Sequence, residues 1–159
     1  MLAAVALSIL DLLRRVARPH DSVLGFVPGV AGMHDIEDYP HAQLEPGLLI
    51  YRYDAPLFFA NAEDFRSRAI AAVDANPDPV ELFVLNAEAN VEVDLTALDA
   101  VDLLRRDLNS RGIEFAMARV TWHLRDALDA AGLLDKIGED RIFATLPTAV
   151  EAYRARRTE

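Results

Sequence analysis

Apolar and polar positions alternate along this chain in blocks that change period several times. Residues 2–7 read LAAVAL, without a polar side chain. Ser8, Asp11, Arg15 and Arg18 follow at steps of three, four and three, which puts them on one face of a helix. Ile9, Leu10, Leu12, Leu13 and Val16 fall around the other face. Arg18-Pro19 ends the pattern, because the residue before proline avoids helical backbone angles. Val23–Val27 is a short apolar run closed by Pro28-Gly29 and predicts a first strand. Residues 30–47 are polar and read as an irregular loop.

From residue 48 the signals are stronger. Leu48–Tyr53 predicts a strand, Asp54-Ala55-Pro56 a turn, and Leu57–Ala60 a returning hairpin partner. Asn61 is placed to cap a helix with Glu63 and Asp64 in its first turn and Phe65, Ala69 and Val73 as its buried stripe. Asn76-Pro77 stops it. Val80–Leu85 is the most apolar segment and predicts a strand in mid-sheet. Asp94–Ala97 opens a long helix to Arg111, with the stripe Ala97, Val101, Leu104, Leu108 and a stop at Gly112. Ile113–Ala118 predicts the next strand. Thr121 caps a helix through Leu124 and Leu128 that ends near Gly132. Ile142-Phe143 reads as a short edge strand, and Pro147 as the first residue of a final helix with Val150 and Tyr153 facing inward. Strands alternating with helices after residue 56 predict right-handed crossovers and a parallel sheet there.

Composition narrows the function classes. The chain has 159 residues, 52% hydrophobic and 26% charged, which suits one globular domain. Without cysteine it has no disulfide, thiolate metal site or cysteine nucleophile. The formal charge is −10. An acidic surface repels phosphate backbones, so no nucleic-acid partner is expected. Three arginines against Asp11 leave residues 1–19 at +2, so the other 140 residues carry −12. Three readings of this leader stay open: an amphipathic helix docked on the domain, a signal peptide, or the last turns of a transmembrane helix. The apolar run is too short to cross about 30 Å of hydrocarbon by itself. An apolar run followed by arginines suits a helix leaving the bilayer on the cytoplasmic side. On that reading Met1 need not be the natural start.

Catalytic motifs are missing. There is no phosphate-loop pattern, no G-x-S-x-G, and Gly25, Gly29 and Gly32 do not have dinucleotide-binding spacing. The chain is therefore read as non-enzymatic, with no catalytic residue assigned and no lysine or arginine clamp near the helix start at Asp94. His34, Asp35, Glu37, Asp38 and His41 have the residue types of a metal site but not the spacing, and are read as a solvated loop. Trp122-His123 is read as packing and capping. One place has a physical reason to hold an anion. Asp94-Leu95-Thr96-Ala97 begins the longest helix just after a core strand, where unpaired N–H groups and the helix dipole favour negative charge. The alternative is that Asp94 only caps the helix. Glu88, Glu92, Asp94 and Asp99 oppose an anion there.

These residues also carry a resemblance. Val23–Gly29, Tyr39-Pro40 and Pro46 through Ala62, above all Pro56-Leu57-Phe58-Phe59-Ala60-Asn61-Ala62, closely resemble the start of the carboxy-terminal STAS domain of SulP-type sulfate and anion transporters. The resemblance covers about residues 10–157. It implies an α/β fold like that of anti-sigma-factor antagonists: a mixed sheet of four or five strands with about four helices mainly on one face, plus an amino-terminal linker helix. It implies that residues 1–19 are the end of the last transmembrane helix and its linker, and residues 20–159 the STAS domain. The domain would sit on the cytoplasmic face of the inner membrane. Its implied partners are the membrane part of its parent transporter and cytosolic regulatory proteins. In antagonist relatives a phosphorylated hydroxyl lies at the start of the long helix. Thr96 matches that phosphoacceptor, while Leu95 stands in place of a serine and Ala97 in place of a glycine. The resemblance implies no required cofactor and a purine nucleotide, GTP/GDP or ATP, near Asn86 and Asp94–Ala97. The alternative is a free-standing anti-sigma-factor antagonist switched by phosphate on Thr96.

Overall fold

A computed structural model describes residues 2–17 and 19–158, with the side chains of residues 15–17 excluded. The expected helix stop at Arg18, and the placing of Arg15, Val16 and Arg18 on helix faces, lie outside the described residues. The elements are α1 (Leu2–Ala17), β1 (Asp21–Phe26), β2 (Met33–Asp35), β3 (Leu48–Tyr53), α2 (Ala62–Ala75), β4 (Leu82–Asn86), α3 (Leu95–Ser110), β5 (Glu114–Ala118), α4 (Trp122–Ala130), α5 (Leu133–Ile137), β6 (Ile142–Phe143) and α6 (Leu146–Arg157). They form one mixed sheet in the order β2-β1-β3-β4-β5-β6. β1 runs antiparallel to both β2 and β3, while β3, β4, β5 and β6 are parallel. The expected α/β class holds. Six strands replace the four or five expected, because the two edge strands are only three and two residues long.

β4 lies in mid-sheet, and all five of its residues are buried. Phe83, Leu85, Tyr51 and Phe115 turn to one face and meet the expected stripes of α2 and α3: Phe65, Ala69 and Val73, then Ala97, Val101, Leu104 and Leu108. α4 and α5 complete this layer. The opposite face is smaller. Leu48, Ile50, Val84 and Ala116 are covered there by Leu146, Ala149 and Tyr153 of α6.

Four expectations are corrected. Leu57–Ala60 is not a hairpin strand. Only Leu57 pairs, and its partner is Val93, in a parallel bridge. Asn61 explains the rest: its side chain accepts from the Phe58 N–H at 3.0 Å and donates to the Pro56 carbonyl at 3.0 Å, folding 56–61 into a turn. Asn61 therefore precedes α2 without a side-chain cap of it. Residues 30–47 are not wholly irregular, since β2 pairs there with β1. Pro147 is the second residue of α6 rather than its first, and the α5 turn between Gly132 and Gly138 is additional.

The opening of β1 is pinned by charge. Tyr51 Oη donates to Asp21 at 2.9 Å and Tyr53 Oη to Asp64 at 3.0 Å. Arg68 on α2 pairs with both carboxylates. Burial, reinforced by the adjacent carboxylates, pushes both phenols well above the ordinary tyrosine range.

Candidate functional site

The three central parallel strands end on one edge of the sheet, and the chain turns there three times. After β3 comes the 56–61 turn. After β4 comes a single 3-10 turn, Ala87–Ala89, and then α3. After β5 comes Arg119-Val120-Thr121 and then α4. β1 is antiparallel, so its first residue, Asp21, lies beside Tyr53 on this same edge. The His20 carbonyl accepts from the Asp54 N–H at 2.9 Å, so the link from α1 also enters here.

Buried amides tie these turns together. Asn90 is 1% exposed and donates to the Tyr53 and Ala55 carbonyls at 3.0 and 2.7 Å. Leu57 N–H donates to the Glu92 carbonyl at 3.1 Å. Asp94 then does two jobs. Its Oδ1 accepts from the Ala97 N–H at 2.8 Å, a normal helix cap, and its Oδ2 accepts from the Phe59 N–H at 2.8 Å. The capping role expected of Asp94 is thus present, and the carboxylate also staples the 56–61 turn to α3. Asp94→Ala is expected to lower stability by about 1–2 kcal/mol. A urea titration followed by circular dichroism checks it, and no change in midpoint would contradict the double role.

The candidate residues are not all alike in placement. Leu95 and Thr96 are exposed, while Ala97 is buried in the core. Asn86 is buried at the end of β4, and its side chain accepts from the Glu88 N–H at 3.3 Å. So Asn86 shapes the 3-10 turn, and Thr96 is exposed to solvent. The loop also contains a cation that the sequence reading had not placed. Arg119 follows β5 in the left-handed backbone region, φ 57°, and pairs with Glu88 at 2.7 Å. Its position after a core strand and just before the Thr121 cap was the only sequence signal for it. Trp122 is corrected as well: it is 66% exposed, stacked on His123 with ring centroids 3.5 Å apart, and not packed in the core.

The acidic loop at 34–41 is split between separate tasks. Asp35 is buried and bonded to His20 Nε2 at 3.0 Å and to the Glu37 N–H. His34 Nε2 lies 2.9 Å from the Ala31 carbonyl, and its ring packs on Tyr39. Among the described residues no group of three or more His, Asp or Glu is gathered to hold a metal ion.

His20 marks the point where the leader meets the sheet. The hydrogen bond to Asp35 raises its pKa, burial partly opposes this, and Asp54 and Asp21 nearby add to the rise. The stabilisation from this pair is complete below the unfolded value near 6.5 and is lost as pH rises through the higher folded value. His20→Gln is therefore expected to lower the melting temperature at pH 5.5 but to change it little at pH 9. Equal losses at both pH values would contradict this.

Fold and site together define an α/β domain whose third helix opens, capped by Asp94, at the sheet edge where the leader enters. The STAS domain pattern matches residues 39–149, and the chain belongs to the STAS domain family. It is 74% identical over 156 residues to a protein of Mycobacterium tuberculosis named "probable sulfate transporter", a match that covers 98% of this chain and 28% of that protein. It is 34% identical to the low affinity sulfate transporter 3 of Stylosanthes hamata, covering 99% of this chain and 26% of the relative. The chain thus spans little more than a quarter of the length of these relatives. Among solved structures, that of the murine Solute Carrier 26 family member A9 anion transporter superposes with a TM-score of 0.82 at 24% identity, over 96% of this chain and 25% of that one.

Proposed function

We propose that this chain is the cytoplasmic regulatory domain of a SulP-type membrane transporter for sulfate or a related anion. Residues 1–19 are then the end of its last transmembrane helix and the link, and residues 20–159 the domain that follows. The observation that carries this reading is the 74% identity, over 98% of the chain, to a protein named "probable sulfate transporter". Nearly all of α1 lies within that match, and a free-standing anti-sigma-factor antagonist has no need of such a leader. The character of α1 supports the same reading. Its apolar side chains are exposed, Leu2 at 88% and Leu7 at 66%, as they are where a helix meets lipid or neighbouring helices. With 16 residues it is about 24 Å long, short of the bilayer core. Among the described residues no helix is long and apolar enough to cross a membrane. The domain then lies on the cytoplasmic face of the inner membrane, partnered by its own membrane part and by cytosolic regulatory proteins. Uptake of labelled sulfate, selenate and thiosulfate into vesicles carrying the full-length protein tests this. Uptake that changes when residues 20–159 are removed is the expected result, and no uptake of any of these anions would sink the reading.

A second reading concerns the start of α3 as a switch. Thr96, exposed there, would be the phosphoacceptor, and an open cavity of about 490 Å³, lined by Val91, Glu92, Val93, His123 and Ala127, lies beside the loop that leads into α3. That volume suits a purine nucleotide, GTP/GDP or ATP, whose phosphates would reach Glu92 only through a bridging cation such as Mg²⁺. Backbone NMR titration with GTP and with ATP is expected to shift Asn86–Leu98. Unmoved resonances there would remove nucleotide binding, and unmodified Thr96 after incubation with a cognate kinase would remove the phosphate switch.

A further inference from the structure

The edge of the sheet that carries the α3 start also carries exposed apolar side chains. Phe59 is 73% exposed, Leu95 79%, Trp122 66% and Val91 44%. They come from the three connections that follow β3, β4 and β5 and from the helix starts there, yet the hydrogen bonds draw them together. Phe59 is stapled to Asp94, next to Leu95. Val91 lines one cavity with His123, and the His123 ring stacks on Trp122. An apolar, aromatic-bearing group of this kind on one edge marks a contact surface rather than scattered exposure.

Its rim is acidic. Asp99 lies one helical turn beyond Leu95, and Asp126 one turn beyond Trp122, each on the same helix face. Glu92 lines the central cavity. The two arginines nearest in sequence are already paired, Arg119 with Glu88 and Arg125 with Glu139. The surface therefore suits a partner that is apolar and basic. An anionic lipid surface would be repelled by it.

Geometry names that partner. The leader enters the domain on this same edge, at His20 beside Asp54. Three residues separate the end of α1 from the start of β1, a reach of at most about 14 Å. If α1 leaves the bilayer, this edge is held next to the cytoplasmic face of the membrane part. Cytoplasmic loops of membrane proteins carry an excess of lysine and arginine. We propose that the surface formed by Phe59, Val91, Leu95 and Trp122, rimmed by Glu92, Asp99 and Asp126, docks against basic cytoplasmic loops of the parent protein's own membrane part. This inference rests on the transporter reading given above.

The test is photo-crosslinking in the full-length protein in native membrane vesicles. A benzophenone side chain replaces Leu95, Trp122 or, as a control on the opposite edge, Asp78, all three exposed. Labels from positions 95 and 122 are expected on loops of the membrane part, with loss of that label at position 78. A membrane-held protein with no such label from 95 and 122, with equal labelling from 78, or with label only on soluble proteins or lipid overturns this inference alone. A full-length protein that washes off the membrane at alkaline pH overturns the transporter reading and this inference with it.

Discussion

Phe83→Ala is expected to lower the unfolding free energy by about 3–5 kcal/mol. Phe83 is fully buried in β4, a mid-sheet strand. Its ring stacks on Phe115 at 6.0 Å and lies 5.7 Å from Tyr51, so one side chain links β3, β4 and β5. Truncation loses the transfer energy of the ring and leaves a cavity among rigid neighbours on three strands, which relax poorly. A domain of this size has about 5–15 kcal/mol to lose, so the loss takes a large fraction of the total. Guanidinium titration checks the change in midpoint. A shift equivalent to less than about 1 kcal/mol would contradict the central role of this residue.

Gly47→Ala is expected to cost about 2–5 kcal/mol, although it adds only one methyl group. Gly47 has φ +82°, a conformation that L side chains rarely adopt. An added Cβ would overlap Tyr153 Oη. That hydroxyl donates to Glu81 at 2.8 Å and faces the Pro46 carbonyl at 3.0 Å, fixing α6 to the sheet. The methyl group therefore strains its own backbone and displaces the anchor of α6 together. Tyr153→Phe removes the hydroxyl that the methyl group strikes. The double variant is expected to lose less stability than the two single changes added, and strict additivity would show that the clash is not the cause.

The main layer of the fold was legible in the sequence because its signals are local and repeated. Phe65, Ala69 and Val73, or Ala97, Val101, Leu104 and Leu108, mark a helix face whatever lies opposite. The apolar run Leu82–Leu85 of β4 places that strand in the middle of a sheet. Elements decided by distant partners were not legible. Leu57–Ala60 has strand-like composition, yet the Asn61 amide and Val93 determine its shape, and Val93 lies 36 positions from Leu57. β2 is three residues with no hydrophobic pattern, made a strand by β1. α5 is too short for a helical period to show between its two glycines. The candidate site divides in the same way. The cap at Asp94 was readable from its place before a periodic segment. Its second bond to Phe59, the Arg119–Glu88 pair and the exposure of Trp122 arise from three loops meeting, which no single window contains.

The short link between α1 and β1 has a mechanical consequence. β1 is hydrogen-bonded along both edges, to β2 and β3, and its first residue is clamped through Tyr51 and Arg68. Three residues of connection limit the slack to about 14 Å. A displacement of α1 beyond that span cannot be absorbed by the tether, and the whole sheet then travels with it. Past that limit, motion of the leader helix becomes motion of the entire domain.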